Sequence, residues 1–184
     1  MPRSARDEYI VILDFLPRGK PTDRRPEPIA QGIGEKYFNL LEVVLKPGVD
    51  VKPKERVYIG EGKRDKVKYI KGRVKYRDLT SIAKDNLEEI LEELIKKEEE
   101  RLVRIFNFAG PITTRKHSLE LLPGIGKKHL WGIIDQRNVK PFTSFEDLQK
   151  RVDMMPDPVK MIKRRIIEEL DEKDEYKLFV GVQM

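Results

Sequence analysis

The chain of 184 residues contains no cysteine, which excludes disulfides and every thiolate-held metal centre. It has only two histidines, His117 and His129, too few for a histidine-based zinc site, so no metal and no other cofactor is expected. No apolar run nears the roughly 20 residues that a membrane-spanning helix needs. An opening segment of signal-peptide form is also missing, so a cytoplasmic location without membrane association is expected. Internal repeats and low-complexity tracts are absent. Aromatic residues make up only 8% of the chain, with a single tryptophan, so any aromatic surface must be local.

Charge is plentiful. Asp, Glu, Lys and Arg form 38% of the chain and the mean hydropathy is -0.58, yet the two signs are interleaved and the apolar residues stay periodic. Such a chain folds with a heavily charged surface; dense charge without cysteine is also a thermophile composition. The formal net charge is +6. Residues 1–81 hold 19 basic and 12 acidic side chains, and residues 115–165 hold 12 and 6. The chain after residue 165 is acidic. Two basic surfaces of this kind suit a polyanion.

Taken in order, Tyr9 to Leu16 is apolar and β-branched enough for a buried strand. Pro17 to Gly34 is rich in proline, glycine and arginine and predicts a long basic loop. Tyr37 to Lys46 and Arg56 to Gly60 are further strands. In KVKYIKGRVKYR, Val67 and Tyr69 share one parity while Ile70, Val74 and Tyr76 share the other, so a β-bulge is expected near Gly72. That register sets Lys71, Arg73, Lys75 and Arg77 on one strand face. Four antiparallel strands with one bulged, curved member resemble an OB-fold barrel. Tyr176 to Val182 alternates and predicts a strand returning to its edge. Ser81 to Phe106 predicts one long connecting helix, with Leu87, Ile90, Leu91, Leu94 and Ile95 as its stripe.

The densest pattern is SLELLPGIGKKHLWGIIDQR, Ser118 to Arg137. Leu119, Leu121 and Leu122 form an apolar patch, Pro123 stops the first helix, and Gly124 and Gly126 allow a corner with Ile125 as its buried plug. A second helix starts at Lys127 or Lys128, with Leu130, Ile133 and Ile134 on its buried side. Its bare N–H groups and two lysines would hold one phosphate. This stretch resembles the helix-hairpin-helix motif of nucleic-acid-binding proteins. Phe142, Ser144, Glu146, Asp147 and Leu148 resemble the start of a second hairpin, whose turn at Met154 to Pro158 has no glycine. Trp131, one step off the apolar stripe, is expected to pack between domains. The whole order of segments resembles an uncharacterised archaeal family described as RNA-binding proteins.

The expected fold is therefore α+β: an OB-like β-barrel over residues 1–81, a connecting helix over 82–111 and a helix-hairpin-helix domain over 112–184. The expected function is non-enzymatic nucleic-acid binding, with RNA favoured over DNA and little sequence preference. The contacts would come from Gly124, Ile125, Gly126, Lys127 and Lys128, and from Lys71, Arg73, Lys75 and Arg77. A protein-binding scaffold is the alternative. A DNA glycosylase, with Lys128 and Glu146 or Asp147 in the catalytic roles, is the weaker one.

Overall fold

A computed structural model describes residues 4–184, which divide into two units: one runs to Leu91 and adds Glu168–Gln183, the other is Glu92–Ile167. In the first unit, strands β1 (Tyr9–Leu16), β2 (Ile29–Gly34), β3 (Leu40–Leu45), β4 (Arg56–Tyr58) and β5 (Val67–Arg73) form one sheet in the order β4-β1-β2-β3-β5. Every pairing is antiparallel. Irregular register in β1, between Ile12 and Asp14, and at two points of the β3–β5 pairing curls the sheet into a half-barrel. Its two edges, β4 and β5, are not paired to each other.

Strand β2 falls within the stretch expected to be loop. Its sequence, IAQGIG, carries little strand signal, but it is buried at every position. Gln31 pairs in register with Glu42 of β3 and donates to its carboxylate at 2.9 Å. Lys20 forms an ion pair with the same carboxylate. A buried polar set of this kind is satisfied only when the strands meet. Ile10, Ile12, Ala30, Val43, Leu45, Val57 and Val67 pack into one buried apolar cluster.

Helix α1 (Ser81–Lys97) starts at Thr80, whose hydroxyl accepts from Ala83 N–H at 3.0 Å and donates to Asp14 at 2.6 Å. Asn86 donates to the carbonyl of Leu13 at 2.7 Å, which ties the helix to β1.

The C-terminal segment returns to this unit, but not as the expected strand. The backbone N–H groups of Leu178, Phe179 and Val180 all donate to the one buried carboxylate of Glu169, at 3.0 to 3.1 Å. Three consecutive N–H groups spent on one side chain cannot join a ladder, so the alternation of Tyr176 to Val182 has no sheet to serve. Phe179 is fully buried, and Gly181 N–H reaches the carbonyl of Tyr37 at 2.8 Å.

In the second unit the expected single helix from Ser81 to Phe106 is broken. Helix α1 stops at Lys97, and α2 (Glu99–Leu102) and α3 (Arg104–Phe108) follow as separate short turns. No proline or glycine marks the breaks. Glu98 leaves the helical region, with φ -95° and ψ 17°, and the Glu99 carboxylate accepts the N–H of Phe145 at 2.9 Å, opening the next helix pair. Asn107 exchanges hydrogen bonds with the backbone of Phe142 at 2.9 and 2.7 Å. Helices α4 (Lys127–Val139), α5 (Phe145–Arg151) and α6 (Pro158–Leu170) complete the helical set, with Leu130, Ile133, Phe145, Leu148 and Ile162 buried.

The first member of the expected hairpin is not an α-helix. Ser118–Leu121 forms one 3-10 turn, opened by His117, whose Nδ1 accepts Leu119 N–H at 3.1 Å, and closed by Glu120 accepting His117 N–H at 2.8 Å. Leu119 and Leu122 are buried within that turn.

Candidate nucleic-acid interface

The turn from Leu122 to Lys128 reverses the chain through Gly124, whose φ of +90° lies where side chains are strained. Gly126 differs. Its φ is -96°, and a Cβ built there would meet only the His129 ring at 3.8 Å, so the fold does not require glycine at this position. Ile125 is only half-buried and does not plug the corner.

Two of the turn's N–H groups are engaged internally. Ile125 N–H donates to the carbonyl of Leu122 at 3.1 Å, and Gly126 N–H donates to Nδ1 of His129 at 3.1 Å. Because Nδ1 accepts, the ring proton sits on Nε2, which donates to the carbonyl of Met154 at 3.0 Å. His129 thus joins the first turn of α4 to the loop between α5 and α6. The first-turn N–H groups of α4, starting at Lys127, have no partner further back in the helix.

Lys127 reaches back to Glu120 at 2.6 Å. The His117 N–H, and after it Lys127, hold the Glu120 carboxyl below its usual value. Lys128 is exposed and forms no ion pair among the described residues. Trp131, one turn further along the same helix face, is 60% exposed. Its indole is therefore not buried between packed elements, contrary to the expectation from sequence.

The second basic set is not the single strand face that was expected. Strand β5 ends at Arg73, and Tyr76–Asp78 is a 3-10 turn. The register shifts fall at Lys68 and Lys71, the latter beside Gly72, whose φ is +151°. The chain's own carboxylates answer most of the positive charge. Lys71 pairs with Asp23 at 3.2 Å, Lys75 with Glu172 at 3.3 Å and Arg77 with Asp171 at 3.3 Å. Lys68 lies 3.5 Å from Glu27, which also accepts the Tyr69 hydroxyl at 2.6 Å. Asp23 is held below its usual carboxyl value first by the Lys20 N–H and then by Lys71, and Glu27 first by Tyr69. Of the four expected residues, only Arg73 forms no ion pair among the described residues.

The carboxylates considered for glycosylase chemistry lie in the first turn of α5, where Ser144 accepts Asp147 N–H at 3.0 Å. Glu146 pairs with Lys150 at 2.9 Å, and Asp147 with Arg151 at 3.1 Å. Among the described residues no group of three or more acidic or histidine side chains gathers as a metal site, and no helix is long and apolar enough to cross a membrane.

The protein is of the α+β class, with a curled antiparallel sheet and a helical unit. Residues 6–181 match the model of a protein family of unknown function, DUF655, and the chain belongs to that family. It is 49% identical to the uncharacterized protein MJ0038 of Methanocaldococcus jannaschii over 176 residues, covering 95% of this chain and 80% of that one. The crystal structure of Af1531 from Archaeoglobus fulgidus superposes with a TM-score of 0.82 at 47% identity, covering 95% of this chain and 99% of that one.

Proposed function

We propose that this protein binds single-stranded nucleic acid, RNA in preference to DNA, without catalysing a reaction on it. On this reading the half-barrel is OB-like, and the stretch from Ser118 to Val139 is a helix-hairpin-helix whose first helix has shrunk to one 3-10 turn. A backbone phosphate sits at the first turn of α4, held by its N–H groups and by Lys127 and Lys128, and a base stacks on Trp131.

The observation that carries the reading is Gly126. The fold leaves room beside its Cα; glycine also serves there as the N-cap of α4, and on this reading the bare Cα in addition lets a ligand backbone approach closely. The exposed indole and lysines on the adjoining helix face supply what that ligand would need. Contacts of this kind position a strand without reading its bases.

Trp131 is the only tryptophan, so its fluorescence reports on this site alone. Titration with single-stranded RNA, single-stranded DNA and duplex DNA across a salt series is expected to quench it, most strongly with single-stranded RNA. Affinity should fall steeply as salt rises. Binding that leaves the fluorescence unchanged would remove α4 from the interface, and no binding at low salt would favour the protein-binding scaffold.

A further inference from the structure

A cavity of about 600 Å³ opens between residues 5–8, β4 with the loop after it, and β5, over Leu41 of β3. It occupies the seam where the two sheet edges fail to meet. The volume lies within the range of about 300–1,000 Å³ typical of small-molecule sites. Leu41, Ile59 and Ile70 give it an apolar wall, and Arg6, Arg64 and Arg73 line it.

The arginines differ from the basic residues of β5 and of the turn after it. Lys68, Lys71, Lys75 and Arg77 each face a carboxylate, but Arg6, Arg64 and Arg73 form no ion pair among the described residues. Arg64 is already oriented, because its Nε donates to the carbonyl of Gly60 at 2.8 Å, leaving its terminal nitrogens for a ligand. Carboxylates also line the cavity: Asp7, Glu8 and Glu61. Asp7 is turned inward, accepting from Lys36 N–H, Tyr37 N–H, Asn39 N–H and the Asn39 amide. Glu8 and Glu61 are exposed, where solvent and salt screen them. At Gly72 a Cβ would meet nothing within 4 Å, so the β5 wall is open there.

We propose that this seam binds one nucleotide unit, its phosphate held by Arg6, Arg64 and Arg73 and its base against Leu41, Ile59 and Ile70. Arginine suits phosphate through its planar, multiply donating head. An added β-strand fits less well, since two register shifts and an arginine interrupt the free edge of β5. The unit is either a free nucleotide or one residue of a bound strand; only the second source rests on the nucleic-acid reading above.

Calorimetric titration of the 184-residue chain with the four ribonucleoside 5′-monophosphates, and with inorganic phosphate, tests the proposal. At least one nucleotide is expected to bind roughly tenfold or more tightly than phosphate. Arg73→Glu and Ile70→Glu, both at exposed positions of an edge strand, should each weaken that binding by a similar factor, with circular dichroism unchanged. Lys140→Glu, an exposed position of the other unit with no part in either proposed site, should leave it intact. Absence of nucleotide binding, or binding indifferent to both β5 substitutions, overturns the pocket.

An RNA oligomer separates the two readings. If it binds and quenches Trp131 while no nucleotide binds, the pocket fails and the nucleic-acid function stands. If nucleotides bind but the oligomer does not, the pocket stands as a free-nucleotide site and that function fails.

Discussion

Single side chains that accept several backbone N–H groups hold this protein together at points where the ladder does not reach. Asp7 is the clearest case. Its carboxylate receives three backbone N–H groups and the Asn39 amide, at 2.8 to 3.3 Å, and fixes the turn containing Phe38 at φ 58°. A Cβ on Gly34 would collide with this carboxylate. Removing it would leave several polar groups with poor alternatives, each costing about 1–3 kcal/mol when buried. Asp7→Ala is expected to lose about 3 kcal/mol or more in urea unfolding, with Asp7→Asn retaining part of that.

His117 gives a pH dependence at the same scale. Burial, and then the positive charge of Arg137, hold its pKa below the usual 6.5, against a smaller opposing pull from Glu120. The unfolded chain therefore binds the proton more readily, and stability falls as pH drops from the usual value through the folded one. Between about pH 7.5 and pH 5 the urea midpoint should decrease, and His117→Gln should flatten part of that slope. The carboxyl groups of Asp23, Glu27, Glu92, Glu120 and Asp147 are lowered as well. Their contribution to stability is lost only at more acidic pH.

At the scale of elements, α4 and β5 show how local chemistry redirects a sequence pattern. Helix α4 begins at Lys127 because Gly124 turns the chain and Gly126 takes the extended N-cap conformation, with His129 reaching back to cap it. Gly126→Val is expected to cost only about 1 kcal/mol, the scale of an unfavourable N-cap. On the proposed function, however, the added bulk should weaken RNA binding tenfold or more. Paired thermal unfolding and RNA titration would distinguish this from a structural role, in which stability and binding would fall together.

In β5 only Val67 is buried. The strand is an edge whose bulges consume the expected alternation, and charged edges of this kind discourage pairing with other chains.

For the molecule as a whole, the chain order and the structural division do not coincide. The first unit takes its last residues, Glu168–Gln183, from beyond the second, and these contribute Glu169, the buried Phe179 and the partners of Lys75 and Arg77. Truncation after residue 167 is therefore expected to lower the unfolding temperature by several degrees or more, since about 1 kcal/mol moves a domain's midpoint by roughly 2–8 °C. An unchanged midpoint would show that this segment is dispensable. Formal charge also reads differently at this scale. The basic excess of residues 1–81 is answered in part by acidic residues near the C-terminus, while Arg6, Arg64 and Arg73 meet in the seam as a local positive set.

The periodic and punctuated features were legible in the sequence. Strand β1 spans the expected Tyr9–Leu16, α1 carries its expected stripe, α4 starts at Lys127 after the glycine corner, and Ser144 opens α5. Each follows from local rules: β-branched runs, three-and-four spacing, and caps. What only the tertiary structure decided depends on partners distant in the chain. Strand β2 needed Glu42 opposite Gln31, and the breaks after α1 carry no local breaker, with Glu99 engaged at Phe145. The C-terminal segment gave its N–H groups to Glu169, the lysines of β5 met carboxylates of the loop between β1 and β2, and Lys75 and Arg77 after it met carboxylates of the far end. Periodicity determines which face a residue shares with its neighbours; buried polar satisfaction and charge pairing depend on what the folded chain sets against that face.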